Sequence, residues 1–281
     1  MKDYKLLKEL IREIFLHEGV YDPNILKAVF MAGGPGSGKS HTAKLIFGGD
    51  TENTLASATS TGLKLVNSDP AFEANLEKSG INPSDLATMS DEEFAKVTMG
   101  PDSPRGRAKK TRDTQEGHYI EGRLGVIIDG TGDDFTKISK KKHEMEQLGY
   151  DTMMVFVNTS LEVAQERNAN RKRKLKPSLV EDIWNDVQQN MGAFQGLFGG
   201  GNFVIVDNTK YGPISGAIDK AVNAFLRKPT ENPIGKRWIS LELKAKGAES
   251  KLPKNKPIGG GGAKAARKIS NLAHPRRKES S

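Results

Sequence analysis

The sequence has 281 residues, a formal net charge of +8 and no cysteine. This length allows one domain of roughly 200 residues with appended segments. No apolar run approaches the roughly 20 residues that span a bilayer, and the N-terminus mixes charged with apolar side chains, unlike a signal peptide. The absence of cysteine excludes disulfides and thiolate metal sites. We therefore expect a cytoplasmic protein with no membrane partner.

The two ends of the chain differ in character from its middle. Residues 4 to 17 have the apolar spacing of an amphipathic helix, which would pack on the domain or bind a partner. Between residues 228 and 281, 14 Lys and Arg stand against 4 Asp and Glu, so the positive excess lies there. The composition predicts a largely disordered tail able to bind nucleic acid by displacing counterions. The predicted units are an N-terminal helix in 1–25, a domain in 26–227 and a basic tail in 228–281.

Five short apolar segments predict β-strands, and the segments between them predict helices. The strands are expected at residues 28–32, 63–67, 125–129, 152–157 and 203–206. The helices are expected at 39–47, 135–148, 159–172, from 177 onward and at 214–226, with further helical signals between 70 and 122. Capping boxes are expected at Ser90 with Glu93, Thr159 with Glu162, and Ser178 with Glu181. The alternation indicates a parallel sheet covered on both faces, and residues 238–243 add a short strand or a docked segment.

The most informative motif lies between the first strand and the first helix. It matches the pattern G-x-x-x-x-G-K-[ST] and reads Gly33-Gly34-Pro35-Gly36-Ser37-Gly38-Lys39-Ser40. We call these eight residues the P-loop. Its glycines let backbone N–H groups face phosphate oxygens, and the start of the helix, which includes His41, adds a favourable dipole. Lys39 can reach the β- and γ-phosphates and the Ser40 hydroxyl can bind Mg²⁺, so the motif predicts binding of ATP and Mg²⁺.

Two carboxylates follow strands whose carboxyl ends should meet the P-loop. Asp69 follows the second strand within Asn67-Ser68-Asp69, and Asp129 ends the third strand. Ligands bind at the carboxyl ends of strands in open parallel sheets. Asp69 is therefore a candidate base for an attacking hydroxyl; the alternative is that it caps the helix starting at Pro70. Asp129 is a candidate to hold Mg²⁺ or contact the acceptor, or an ordinary residue at a strand end.

A third group of candidates is basic. Arg167 and Arg171 are four residues apart, which predicts that they share one face of a helix, with Arg173 on another side. Guanidinium groups on a mobile segment can close over a triphosphate and neutralise charge in the transition state. The alternative is a solvated helix face.

Together these motifs resemble the polynucleotide kinase and zeta-toxin group of P-loop kinases. The similarity to the kinase domain of phage polynucleotide kinases rests on three stretches: residues 34–40, 67–69, and the Arg-Asn-x-x-Arg sequence at 167–171. It covers roughly residues 26 to 226. The resemblance implies a P-loop NTPase three-layer α/β sandwich with a five-stranded parallel sheet in the order 2-3-1-4-5.

The resemblance also implies roles for individual residues. Asp69 would be the general base, while Lys39 and Ser40 would contact phosphates and Mg²⁺. Arg167 and Arg171 would be lid arginines. Phe72 departs from the pattern, because phage polynucleotide kinases have an arginine there that helps bind the acceptor's phosphate.

Three functions remain open from the sequence. The first is an ATP- and Mg²⁺-dependent kinase acting on a hydroxyl acceptor, for which a nucleic-acid 5′-hydroxyl is one candidate. The second is a zeta-toxin-like kinase of a nucleotide sugar or another small molecule. The third is an interaction protein that binds a nucleotide and transfers nothing. The substrate is undecided because one scaffold supports different acceptors.

Overall fold

The computed structural model describes residues 19–22, 24–48, 59, 61–210 and 212–245. The predicted helix at residues 4–17 lies outside this part of the chain, and so does the predicted tail beyond residue 245. Within the described ranges, no helix is both long enough and apolar enough to cross a membrane.

Five parallel strands form one sheet in the order β2-β3-β1-β4-β5. The strands are β1 Lys27–Ala32, β2 Lys64–Val66, β3 Val126–Asp129, β4 Asp151–Asn158 and β5 Phe203–Asp207. Each lies within one residue of its predicted position, and the predicted strand order is confirmed. Strand β1 is buried along its whole length because it is central and pairs with both β3 and β4.

Helices cover both faces of this sheet. They are α1 Lys39–Phe47, α2 Asp69–Lys78, α3 Asp91–Thr98, α4 Pro104–Glu121, α5 Phe135–Gln147, α6 Leu161–Asn170, α7 Pro177–Phe198, α8 Gly216–Arg227 and α9 Pro233–Ala245. Short 3-10 helices occupy Gly19–Tyr21 and Pro83–Ala87.

Alternate residues of β1 point into two separate hydrophobic layers, as the twofold period of a strand requires. Ala28 and Phe30 pack with buried residues of α5, α7 and α9. Val29 and Met31 pack with buried residues of α1 and α8 on the opposite face. The result is a helix–sheet–helix sandwich, which confirms the predicted P-loop NTPase fold class.

Helix α6 begins and ends differently from its prediction. Its cap is Ser160, whose Oγ accepts from the Val163 N–H at 3.4 Å. Thr159, the predicted cap, is buried instead, and its carbonyl oxygen accepts from the Trp184 indole N–H at 2.9 Å. The helix ends at Asn170 rather than near residue 172, because the backbone at residue 171 is extended.

Helix α7 begins at Pro177 without a side-chain cap, so the capping box predicted for Ser178 with Glu181 is wrong. Proline is favoured at a first helical position because it has no N–H to satisfy there. The capping box predicted for Ser90 with Glu93 is present at α3, with both reciprocal hydrogen bonds formed.

The short strand or docked segment expected at residues 238–243 is part of helix α9. Gly235, Ile239 and Leu243 are buried at successive intervals of four residues, which is helical spacing. The start of α9 is anchored by Asp151, whose carboxylate accepts from the backbone N–H groups of Glu231 and Asn232 at 2.9 and 2.8 Å. Residues 233–245 of the predicted tail therefore form a helix packed on the sheet sandwich.

Candidate active site

The P-loop is a tight turn between β1 and α1 that is packed against the ends of neighbouring elements. Gly36 and Gly38 have φ values of 76° and 85°, in the left-handed region. A Cβ atom at Gly36 would lie 2.3 Å from the Ala164 carbonyl oxygen, and one at Gly38 would lie 2.2 Å from Asn208 Nδ2. The Asn208 amide also donates to the Ser37 carbonyl oxygen at 2.7 Å. The loop is therefore held in one shape by the protein itself.

The start of helix α1 receives no hydrogen bond from the side chain of its cap residue. That residue is Gly38, which has no side chain to offer the first N–H groups of the helix. Ser40 and His41 lie in this exposed first turn. The Lys39 ammonium donates to the Gly33 carbonyl oxygen at 2.6 Å, folded over the loop. These donors and this charge fit a phosphate group.

A cleft of about 600 Å³ opens beside the P-loop. It brings together most of the residues that the sequence predicted for catalysis and metal binding, namely Lys39, Asp69, Asp129 and Arg171. The same cleft is lined by basic side chains of α4 and α5. Because these groups share one cavity, an acceptor bound in it can touch both the carboxylates and the P-loop lysine.

Two arginines from distant parts of the chain hold the Asp69 carboxylate. Arg105 of α4 donates to Asp69 Oδ1 at 3.0 Å, and Arg173 donates to Oδ2 at 2.5 Å. Asp69 is the first residue of α2, and its carboxylate does not cap the helix as the alternative supposed. Burial would raise the pKa of Asp69, but Arg173, Arg105 and Lys39 together lower it below its ordinary value. The carboxylate is thus ionised and paired in this state.

The two predicted lid arginines do not share a helix face, because α6 ends before the second of them. Arg167 lies over the P-loop, with Nη1 3.4 Å from the Gly36 carbonyl oxygen and Nη2 3.5 Å from that of Thr209. Arg171 lines the cleft instead, and its Nε and Nη2 atoms are buried with no hydrogen-bond partner among the described residues. Burial, reinforced by the charge of Arg173, lowers the pKa of Arg171 to about 10. Two buried guanidinium nitrogens without an acceptor suit an anionic ligand.

Arg173 was predicted to lie on another side of the helix from Arg171. It lies beyond the end of α6 and contacts the candidate base, Asp69. It belongs to residues 171–176, which connect α6 to α7 and which we call the lid segment. Besides the Arg173–Asp69 pair, three ion pairs among the described residues tie this segment to α2 and α3: Arg173–Glu73 at 3.3 Å, Lys172–Glu77 at 2.5 Å and Lys176–Asp91 at 2.7 Å. The lid segment therefore forms part of the wall of the cleft, which Arg171, Arg173 and Leu175 line.

Asp129, at the end of β3, has a carboxylate oxygen that is buried and unpaired among the described residues. Burial raises the pKa of Asp129 to about 6; the charge of Asp69 adds to the rise, and that of Lys39 opposes it. The described chain contains no cluster of three or more side chains able to hold a metal ion by themselves. One carboxylate is nevertheless enough for Mg²⁺ to bind where phosphates supply further ligands.

We expect the charge of Asp129 to destabilise the metal-free fold above its pKa. Its folded-state pKa is about 6 against an ordinary 3.8, so the fold loses stability as pH rises through that interval. Asp129→Asn should raise the free energy of unfolding at pH 8 by roughly 1–3 kcal/mol and flatten its dependence between pH 4 and 6. Urea unfolding in the presence of EDTA measures the free energy of unfolding at each pH. Asp133→Asn is the control, because the Asp133 side chain is exposed. A variant less stable than the parent at pH 8 would contradict the assignment.

Helix α4 contributes residues to the cleft that were not predicted from the sequence. The Phe72 ring, noted above as a departure from the resembled family, lies against two guanidinium groups, with Arg105 Cζ 5.0 Å and Arg173 Cζ 5.7 Å from its centroid. Arg105, Lys109 and Arg112 of α4 all line the cleft. Their spacing of four and three residues was visible in the sequence, but nothing local indicated which side of α4 faces the P-loop.

No protein-family model matches the sequence, and no curated protein is similar to it. Solved structures match the chain at low identity. A protein of Chloroflexus aurantiacus described as a kinase is 14% identical, with 72% of this chain and 98% of that chain covered and a TM-score of 0.46. A structure from the PezAT chromosomal toxin–antitoxin system of Streptococcus pneumoniae is 13% identical, with 87% of this chain and 95% of that chain covered and a TM-score of 0.47. A gluconokinase from Sinorhizobium meliloti is 16% identical, with 74% of this chain and 96% of that chain covered and a TM-score of 0.40. At these identities the similarity concerns the fold.

Proposed function

We propose that the protein is an ATP- and Mg²⁺-dependent kinase that phosphorylates a hydroxyl group. The observation that carries the proposal is the position of Asp69, an ionised carboxylate in the same cleft as the P-loop lysine and Arg171. A nucleotide-binding interaction protein would need the P-loop but has no use for a carboxylate and buried arginines gathered beside it. Perturbed titratable groups in one cleft favour catalysis.

In the proposed reaction, Asp69 takes the proton of the acceptor hydroxyl while the hydroxyl oxygen attacks the γ-phosphorus of ATP. The bond between the γ-phosphorus and its bridging oxygen breaks, and ADP leaves with that electron pair. Lys39, Arg167 and Arg171 are the cations placed to neutralise charge that develops on the transferred group. Ser40 and Asp129 would hold Mg²⁺, which neutralises phosphate charge when bound.

Arg173 must release Asp69 before the carboxylate can accept a proton. Because Arg173 lowers the pKa of Asp69, we expect Arg173→Ala to move the acidic limb of the kcat/KM profile to higher pH, since a base must be ionised to act. Lys172→Ala is the matched control: Lys172 belongs to the same segment, is 63% exposed and pairs with Glu77 rather than the base. The test is to measure kcat/KM for the acceptor as a function of pH at saturating ATP. If the acidic limb of the Arg173→Ala profile coincides with that of the parent, Asp69 is not the base.

Two acceptor classes remain candidates within this proposal. A nucleic-acid 5′-hydroxyl is supported by the basic composition of residues 228–281, which would concentrate a polyanion near the cleft. A nucleotide sugar or another small molecule is supported by a cleft of about 600 Å³, which is the size of a small-molecule site.

The proposal is tested by incubating the full chain with γ-labelled ATP and a panel of 5′-hydroxyl DNA, 5′-hydroxyl RNA and nucleotide sugars. We expect label in one acceptor class and none when Lys39 is replaced. If the protein binds ATP but labels no member of the panel and hydrolyses no ATP, it is a nucleotide-binding interaction protein instead.

A further inference from the structure

We propose that residues 4–17 form a helix that packs, within the same molecule, on an exposed apolar stripe of helix α9. The stripe consists of Ile234, Trp238 and Leu241, and we call it the α9 stripe. Residues 4–17 lie outside the described part of the chain, so their place is inferred from the surface that would receive them. The proposed reaction uses no residue of this stripe, and the docking does not depend on the kinase function.

Helix α9 has two neighbouring apolar faces, and only one of them is covered. The face that begins at Gly235 is buried against the sheet sandwich. On the other face, Ile234 and Leu241 are 52% and 56% exposed, and Trp238 between them is only partly buried. The three residues follow at intervals of four and three, so their side chains form one line along the helix. Single exposed apolar residues are common on proteins, whereas a contiguous line of them is typical of a surface that contacts another element.

The segment that precedes the described structure is attached beside this helix. The 3-10 helix Gly19–Tyr21 contacts α9, and Val20 is buried in the same hydrophobic cluster as Ile239 and Leu243. Only residue 18 separates residues 4–17 from this anchor. A short tether gives a segment a local concentration on the order of millimolar at a nearby site. The segment therefore has an advantage over any second molecule in covering the α9 stripe.

The sequence of residues 4–17 matches the α9 stripe in spacing and in length. Leu7, Ile11 and Ile14 are four and three residues apart, which are the intervals found in the stripe. Two helices with apolar residues at these intervals pack side by side, with the side chains of one fitting between those of the other. As a helix, the segment would be about 21 Å long, and α9, at 13 residues, is about 20 Å long. The segment is thus long enough to cover the whole stripe.

Charges beside the two apolar lines favour an antiparallel arrangement. In the segment, helical periodicity puts Glu13 on one side of the apolar line and Lys8 on the other. Viewed in the same direction along α9, Arg237 lies on the side that corresponds to Glu13, and Glu242 on the side that corresponds to Lys8. Antiparallel helices bring corresponding sides together, so Glu13 would face Arg237 and Lys8 would face Glu242. Parallel packing would bring like charges together, and such flanking charges set the orientation of paired helices.

Crosslinking tests this arrangement directly, because the chain has no cysteine of its own. Leu7→Cys with Leu241→Cys places two thiols at facing positions of the antiparallel pair. Leu7→Cys with Ile234→Cys is the matched control, since Ile234 lies one heptad away, roughly 10 Å along α9, beyond the reach of a disulfide. Under mild oxidation we expect the first pair to form a disulfide within the monomer at least tenfold faster than the control.

Two results of the crosslinking experiment would overturn the proposal. Equal rates for the two cysteine pairs, or a faster control, would mean that the segment does not dock in the proposed arrangement. Disulfides that join two chains, seen as a covalent dimer on a non-reducing gel, would mean that a second copy covers the stripe instead.

Substitution of Leu241 tests the contact in the full chain without cysteines. If residues 4–17 cover Leu241, Leu241→Ser should lower the melting temperature by roughly 3–6 °C. Leu45→Ser is the control, because Leu45 is 46% exposed on α1, which packs on the opposite face of the sheet. Leu7→Ser combined with Leu241→Ser should lower the melting temperature by less than the sum of the single effects, since residues in contact couple. A Leu241→Ser effect no larger than that of Leu45→Ser, or additive effects in the double variant, would contradict the docking.

Discussion

Replacement of Lys39 by alanine is expected to abolish phosphoryl transfer. The ammonium is the one cation that the P-loop itself contributes, and it lies over the loop within 2.6 Å of the Gly33 carbonyl oxygen. In the proposed reaction it moves from that oxygen to the β- and γ-phosphates. Losing one charged donor that acts in the transition state should lower kcat by roughly 10²- to 10³-fold or more, and ATP affinity should fall as well.

Single-turnover transfer from γ-labelled ATP measures the first effect, and equilibrium binding of ATP measures the second. Lys44→Ala is a matched control, because Lys44 is exposed on the same helix and outside the cleft. Turnover in Lys39→Ala that equals the parent's would remove the ground for calling this protein a kinase.

The second large effect is expected from Asp69→Asn. The substitution keeps the size of the side chain but removes the charge that accepts the proton, and general-base assistance contributes about 10²- to 10⁴-fold. We expect kcat to fall within that range and the Kd for ATP to change little, because the P-loop contacts are untouched. The variant also leaves Arg105 and Arg173 without their shared carboxylate, so its stability must be measured alongside its rate.

Glu73→Gln separates the chemical role of Asp69 from a structural one. Glu73 also pairs with Arg173, at 3.3 Å, yet it is not a candidate base. We expect Glu73→Gln to change kcat by less than about tenfold, because it should disturb only the packing of the lid segment. If Asp69→Asn abolishes ATP binding while bound substrate still turns over normally, Asp69 has a structural role.

Local patterns in the sequence were sufficient to predict the strands of the sheet, the P-loop, and the positions of Asp69 and Asp129 at strand ends. Buried strands are continuous apolar runs, and a loop that wraps a phosphate needs glycines at set spacings, so both are visible within a few residues. The strand order came from the resemblance to P-loop kinases rather than from any local pattern. Capping was less reliable, as Thr159 and Ser178 show, because neighbouring serine, threonine and proline residues compete for one helix start.

Only the tertiary structure revealed what surrounds the candidate base. Arg105 and Arg173 lie 36 and 104 residues from Asp69 in sequence, and no spacing rule connects residues so far apart. Arg171 and Arg173 were misplaced because a helix was assumed to continue where the chain becomes extended. The direction in which α4 faces is decided by its packing against α2 and α3, and that packing turns an ordinary row of charges into one wall of the cleft.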